Sequence, residues 1–176
     1  MRIDMNVDVR IIGNCISFVG ALIMVGTGFI KKKDRILLAQ CAQFGILGIS
    51  NLVLGGVTGF ISNILSIVRN LYCIKFKFGW PAKLVFVVLQ AAISGVVNTE
   101  GVIGWFPVFC AALYTCILDV KDERILKGVI IFMQVLWCIY DFVHCNYVVF
   151  VMDIATIIAN IVGIIMIQKA KSREIN

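Results

Sequence analysis

The feature that most limits the fold of this chain is a succession of long apolar runs with very little between them. Of the 176 residues, 61% are hydrophobic, and the mean hydropathy is +1.00. A helix needs about 20 mainly apolar residues to cross the hydrocarbon core of a bilayer. Seven runs approach that length: 11–30, 36–54, 57–74, 80–97, 102–118, 126–142 and 147–167. The sequence therefore predicts an all-α integral membrane protein, a single membrane domain over residues 1–176 with seven transmembrane helices.

The basic residues are distributed so unevenly that they predict an orientation. The net charge is +6, and with seven alternating spans fourteen of the 16 Lys and Arg residues fall on or towards one side. Only Arg2 and Arg10 fall on the other side. Because cytoplasmic loops carry the excess of basic residues, we expect the N-terminus outside and the C-terminus in the cytoplasm. The positive charge then sets topology and contacts anionic lipid, and it does not indicate nucleic acid.

A polar stripe occurs twice within these apolar runs, ninety positions apart. In each stripe the members are spaced i, i+3 and i+7, so they share one face of a helix. The stripes are Asn63, Ser66 and Asn70 in the third run and Asp153, Thr156 and Asn160 in the seventh. Because polar groups are costly inside a bilayer, two equivalent polar faces indicate a shared functional interior.

The same shift of ninety residues lays the first run on the fifth, the second on the sixth and the third on the seventh. We therefore predict two parallel three-helix repeats, 11–74 and 102–167, joined by a linker helix at 80–97. The fourth run is short, so six spans with one re-entrant segment is the alternative. Three spans, one linking span and three more spans resemble the seven-helix SWEET and PQ-loop carriers. No PQ dipeptide is present, however, and only Pro107 lies inside a predicted helix, in the fifth run.

Short stretches between about residues 36 and 170 are similar to the YgjV family of bacterial inner-membrane proteins. They are Ser-Ile-Val-Arg at 66–69, Phe-Pro-Val at 106–108, Trp-Cys-Ile-Tyr-Asp at 137–141, and Asp153 with Asn160 seven residues later. The resemblance implies a multi-pass protein of the bacterial inner membrane. It leaves the activity open.

The polar stripes supply the main candidates for substrate-binding residues. Asp153 lies about 10 Å from the outer end of the seventh span, where a carboxylate must be protonated or paired. It is a candidate cation or proton site, or a partner for a polar substrate. Asn70 and Asn160 are identical between the halves, and a pair of asparagines can both donate to and accept from a ligand. The alternative for each of these residues is a structural hydrogen bond between helices.

Three further residues extend this site. Arg69 either extends to the inner headgroups or receives an anionic substrate group. Trp137, in the sixth run, offers an aromatic platform beside polar groups, whereas neighbouring Tyr140 is expected to be an interfacial anchor. Pro107 is a candidate hinge, since a proline inside a helix removes one backbone hydrogen bond.

These observations favour a small secondary transporter or facilitator for a small polar solute, with a proton or a cation as the candidate coupling ion. Two three-helix bundles would rock about a cavity near the middle of the membrane. The alternative is a membrane receptor, chaperone or assembly factor that does not transport. No enzyme activity, metal or cofactor is expected, because the sequence lacks a nucleophile–base pair, a metal motif and a phosphate-binding loop. The pseudo-symmetric unit is complete in one chain, so both a monomer and a homodimer are compatible with it.

Overall fold

The computed structural model describes residues 7–27, 33–118 and 123–175, which are helical apart from short connections. The helices are α1 (Val7–Thr27), α2 (Lys33–Val53), α3 (Val57–Lys75), α4 (Trp80–Val97), α5 (Trp105–Ile117), α6 (Glu123–Val143) and α7 (Tyr147–Ile175). No strand occurs within these ranges. Five helices, α1 to α4 and α7, are long and apolar enough to cross a bilayer, and α5 is a shorter apolar helix. The prediction of an all-helical membrane fold is thus confirmed.

The fifth helix begins later than the sequence predicted, which changes the position of Pro107. Gly101 has a φ of 65°, and the segment after it forms tight turns in which the Trp105 N–H donates to the Val102 carbonyl at 3.1 Å. Pro107 is consequently the third residue of α5. The first four N–H groups of a helix have no partner within it, so a proline there breaks no hydrogen bond. Pro107 therefore removes no hydrogen bond from the interior of a helix, so a missing hydrogen bond cannot make it a hinge.

The packing of this protein is inverted relative to that of a soluble domain. Eighteen polar or charged side chains are buried, against nine hydrophobic ones, among the residues the structure describes. Large hydrophobic side chains cover the outside of the bundle on every helix. In hydrocarbon, burial of apolar groups gives no net gain, and helices associate through close packing and polar contacts. The distribution of side chains therefore agrees with a bilayer as the surrounding medium.

The connections α2–α3 and α6–α7 are built alike. Each helix ends in a residue with left-handed backbone, Gly55 (φ 81°) after α2 and Cys145 (φ 58°) after α6. Each connection closes with the two hydrogen bonds of a Schellman motif, in which orphan carbonyls of the last turn are satisfied. These bonds are Gly56 N–H to Asn51 O (2.7 Å) and Gly55 N–H to Leu52 O (3.2 Å), then Asn146 N–H to Asp141 O (2.8 Å) and Cys145 N–H to Phe142 O (3.2 Å). Every atom pair in the second connection lies ninety positions after its counterpart in the first.

Tyr140 of α6 inserts against the first turn of α3. Its side chain is fully buried, and its hydroxyl oxygen accepts a hydrogen bond from the Gly59 N–H at 2.9 Å. That N–H is one of the donors that a helix N-terminus leaves without an intrahelical partner. The prediction that Tyr140 is an interfacial anchor is wrong, because the ring sits inside the bundle and satisfies the end of another helix.

The close approach of Tyr140 leaves no room for a side chain at Gly59. A Cβ built there would lie 2.7 Å from the Tyr140 hydroxyl oxygen and 2.8 Å from the Asn51 side-chain nitrogen. We expect Gly59→Ala to lower the free energy of unfolding by about 1–3 kcal/mol, as overpacking does in tight interiors. Thermal denaturation in detergent measures this loss. Gly128→Ala in α6 is the matched control, because a Cβ there meets nothing within 4 Å. Equal melting temperatures for the two variants would contradict the packing described here.

Candidate functional site

A cavity with a volume of about 580 Å³ is lined by residues of α1, α2, α3, α5, α6 and α7. A second chamber of about 120 Å³ adjoins it and extends to the α6–α7 connection. Six residues belong to the walls of both chambers: Met24, Gln43, Phe44, Asn63, Gln134 and Trp137. The two chambers therefore share part of their walls, and together they are here called the central cavity. Its volume falls in the range that holds a small molecule.

The central cavity brings together most of the residues that the sequence singled out. Seven of the eight candidates belong to its walls: Asn63, Ser66, Arg69, Trp137, Asp153, Thr156 and Asn160. Asn70 is fully buried, and its amide donates to the Gln40 side chain at 3.1 Å and contacts Arg69. Within α7, Thr156 and Asn160 each donate to a carbonyl four residues earlier. Asn70 thus supports neighbouring side chains, while the other seven are in a position to meet a ligand.

Several polar groups on the wall have no protein partner. Asn63, Ser66 and Gln43 make no hydrogen bond to any part of the chain that the structure describes, although at most 7% of each side chain is exposed. Buried amides and hydroxyls are normally hydrogen-bonded, so these three are available to water or a solute in the cavity. Gln43 was missed by the sequence analysis. The signal was present, since Gln40 and Gln43 lie at i and i+3 within an apolar run.

Two carboxyl groups meet in the smaller chamber. Asp153 accepts a hydrogen bond from the Gln134 amide at 2.7 Å, and Asp141 accepts one from the Asn146 amide at 2.8 Å. The carboxyl groups of Asp141 and Asp153 are close neighbours. No donor among the described residues reaches the second oxygen of either side chain. Because two neighbouring carboxylates repel each other when both are ionised, this arrangement favours one proton shared by the pair.

The wall positions recur at the interval found in the sequence. Nine pairs of wall residues are ninety positions apart, with one member of each pair in α1–α3 and the other in α5–α7. They are Met24 and Tyr114, Gln40 and Ile130, Gln43 and Met133, Phe44 and Gln134, Leu47 and Trp137, Asn51 and Asp141, Asn63 and Asp153, Ser66 and Thr156, and Arg69 and Ala159. The positions correspond while the side chains differ. The residue ninety positions after Arg69 is Ala159, so the cavity carries an arginine on one side only.

Near the Asn146 end of the cavity, two helix caps each join distant parts of the chain. The Glu100 carboxylate, before α5, accepts the Thr58 N–H in the first turn of α3 at 2.7 Å. The Asn14 side chain of α1 accepts the Val148 N–H in the first turn of α7 at 3.0 Å. Thr58 and Val148 are themselves ninety positions apart. Polar oxygens at helix N-termini satisfy orphan donors, and a carboxylate also interacts favourably with the helix dipole.

An ion pair braces the first of these caps. His144 Nε2 lies 3.3 Å from Glu100 Oε2, and His144 Nδ1 lies 2.9 Å from the Tyr140 carbonyl oxygen. Burial lowers the pKa of His144, but the two acceptors outweigh it and hold the pKa above its ordinary value of 6.5. Burial raises the pKa of Glu100, but hydrogen bonds from His144 and Thr58 and the charge of His144 hold it below its ordinary value of 4.5. Both groups are therefore charged over the intervening pH range.

The fold and the central cavity define a multi-pass helical membrane protein with a polar interior. The sequence model of the Imp-YgjV family, described as bacterial inner membrane protein, matches residues 11–171. The chain belongs to that family, as the resemblance in the sequence implied, and its place is the bacterial inner membrane. No curated protein and no solved structure is significantly similar to it.

The ion pair predicts a pH dependence of stability with a defined sign. The contribution of His144 is complete below its unfolded pKa and is lost as the pH rises through its raised folded pKa. The contribution of Glu100 is complete above its unfolded pKa and is lost as the pH falls through its lowered folded pKa. We therefore expect the difference in melting temperature between the native protein and Glu100→Gln to be largest between pH 4.5 and pH 6.5. His144→Gln should remove this pH dependence. A difference in melting temperature between the native protein and Glu100→Gln that stays constant from acid to alkaline pH would exclude the ion pair.

Proposed function

We propose that the protein is a small transporter or facilitator that moves a polar solute across the bacterial inner membrane. The observation that carries this proposal is the central cavity, whose walls combine helices from both halves of the chain and present unpartnered amide and hydroxyl groups. Buried polar groups of this kind mark substrate pathways in membrane proteins. A structural role alone would leave them hydrogen-bonded to one another, as the Ser17, Ser50 and Asn146 side chains are.

The proposal includes two parallel three-helix repeats, α1–α3 and α5–α7, with α4 as the linker. The wall pairs, the two Schellman connections and the two helix caps all recur at ninety positions and support this arrangement. It resembles SWEET transporters, whose repeats are related by an axis along the membrane normal. With seven crossings, the distribution of basic residues would place the N-terminus outside and the C-terminus in the cytoplasm.

Alternating access would work by rocking one three-helix bundle against the other. In this proposal three contacts hold the Asn146 end shut. Glu100 and Tyr140 each bond to an N–H group of α3, and Asn14 bonds to an N–H group of α7, so each contact would join the two bundles. All are short polar contacts that solvent can replace when the bundles separate. In the proposed orientation this end faces outward, and breaking these contacts would open the cavity to that side.

The Asp141–Asp153 pair is the candidate coupling site of such a transporter. Asp141 and Asp153 both lie in the second bundle, and Asn146, which donates to Asp141, accepts a hydrogen bond from Ser17 of α1 in the first bundle. Movement of the bundles would therefore change the surroundings of the pair and its affinity for a proton. The pair also adjoins the Asn63 and Trp137 wall of the cavity. Occupation of the cavity and protonation of the pair would then influence each other through direct contact.

A screen of purified protein against pooled sugars, nucleosides, vitamins and amino acids tests the proposed function. A bound solute raises the melting temperature, by mass action. We expect at least one pool to stabilise the native protein, with the effect lost in Asn63→Ala, which removes an unpartnered wall amide. Ser94→Ala is the control, since Ser94 is fully buried and bonded to Gln90, away from the cavity walls.

The solute found in this way is then tested for flux in proteoliposomes. Uptake by the native protein, with altered pH dependence in both Asp153→Asn and Asp141→Asn, would support the transporter and the coupling site. Binding without flux would instead favour a receptor, chaperone or assembly factor. Unchanged pH dependence in both variants would remove the coupling role of the pair.

A further inference from the structure

Arg69 is a buried cation in the wall of the central cavity. Only 2% of the residue is exposed. Its Nε and Nη2 atoms donate to the Asn70 side-chain oxygen at 3.2 Å and 2.9 Å, and Nη1 donates to the Thr115 hydroxyl at 3.2 Å. The guanidinium carbon lies 4.9 Å from the centre of the Tyr114 ring. Arg69 does not extend to solvent, so the expectation that it reaches the inner headgroups is wrong.

Among the residues that the structure describes, none balances the charge of Arg69. All its hydrogen-bond partners are neutral, and no carboxylate in the described ranges pairs with it. A second buried cationic group, His144, has Glu100 as its counter-ion. Buried charges in proteins are normally paired or ligate an ion, because an isolated charge is costly to remove from water. The imbalance points to an anion that is not part of the chain.

The guanidinium also retains capacity for such an anion. It carries five N–H donors in a planar fork, and three of them are used by Asn70 and Thr115. The remaining two are one on each terminal nitrogen. A carboxylate can accept from both, which is the bidentate geometry in which arginine recognises carboxylates.

The rest of the cavity narrows the kind of anion. The part of the wall that α5 and α6 contribute is mostly apolar, with Ala111, Ile130 and Met133, and it also contains Trp137. A single unpaired positive charge balances one negative charge. An apolar wall and a volume of about 580 Å³ suit an organic molecule better than an inorganic ion.

We infer that the central cavity binds a small organic monoanion whose carboxylate is held by Arg69, with its apolar part against α5 and α6. This inference rests on the proposed function and specifies the class of its solute. The opposite side of the cavity offers Ala159 at the equivalent position, so the molecule is bound in one orientation.

Matched pairs of small molecules test the inference directly. The probes are benzoate, phenylacetate, hexanoate and lactate, each compared with its neutral amide, and inorganic phosphate is tested separately. Binding is measured by the melting temperature and by the fluorescence of purified protein as a function of probe concentration. We expect carboxylates to bind and amides of the same shape to bind about tenfold more weakly or not at all.

Three variants assign the effect to Arg69. Arg69→Gln should weaken carboxylate binding about tenfold or more, and Arg69→Lys should give an intermediate loss because it keeps the charge without the planar fork. Lys83→Gln is the control: Lys83 is another buried cation, 2% exposed, that donates to the Cys116 carbonyl and lies outside the cavity walls. It should leave the affinity unchanged. If Arg69→Gln does not fold, Arg69→Lys and the carboxylate–amide comparison carry the test.

Each result separates this inference from the proposed function. The inference is overturned if the amides bind as well as the carboxylates, if Arg69→Lys and Arg69→Gln bind carboxylates normally, if only phosphate binds, or if no carboxylate binds. If the protein transports a neutral solute and binds no carboxylate, the proposed function stands and the inference of an anionic solute is wrong. Carboxylate binding through Arg69 without any flux would preserve the anion site and remove the transporter.

Discussion

The structure of this protein depends on the absence of hydrogen-bond partners in the hydrocarbon of a bilayer. Every polar group within the membrane must be satisfied by the protein, by trapped water or by a ligand. The chain meets this constraint by turning its polar side chains inward, and most of them, such as Gln90 with Ser62, bond to each other. Asn63, Ser66 and Gln43 are not satisfied in this way, and they line the central cavity. The same constraint that holds the helices together thus identifies the space in which a solute would be bound.

Near the Asn146 end of the cavity, the first turns of two helices are joined to distant parts of the chain. The first turns of α3 and α7 carry N–H groups without intrahelical partners, and each is satisfied by a side chain from the other half of the chain, Glu100 and Asn14. In the proposed arrangement these bonds cross between the halves, so they would hold the two bundles together without fixing either bundle internally. An interface made of such contacts has two states, intact or replaced by solvent, which is the property required of a gate.

The sequence predicted the helices well, because membrane thickness and the cost of polar groups act on local composition. The helix α4 was predicted with the bounds found, while α7 continues past the apolar run to Ile175 because a helix need not end where the hydrocarbon does. The stripe of Asn63 and Asp153 was also readable from spacing. Three features were not predictable: the meeting of Asp141 with Asp153, the burial of Tyr140 against Gly59, and the pairing of Glu100 with His144. Each joins separate elements, so it depends on tertiary packing that no local pattern records.

The central claim is that the cavity opens alternately to the two sides of the membrane. Its most direct test is the reactivity of a single cysteine at Ser66 on the cavity wall, in protein whose seven native cysteines are replaced. The reagent is a membrane-impermeant maleimide, applied in turn to each side of sealed vesicles. The account predicts labelling from both sides, while a cysteine at the buried position Ser94, outside the cavity, stays unlabelled. Labelling of Ser66→Cys from one side only, or from neither, would contradict alternating access through this cavity.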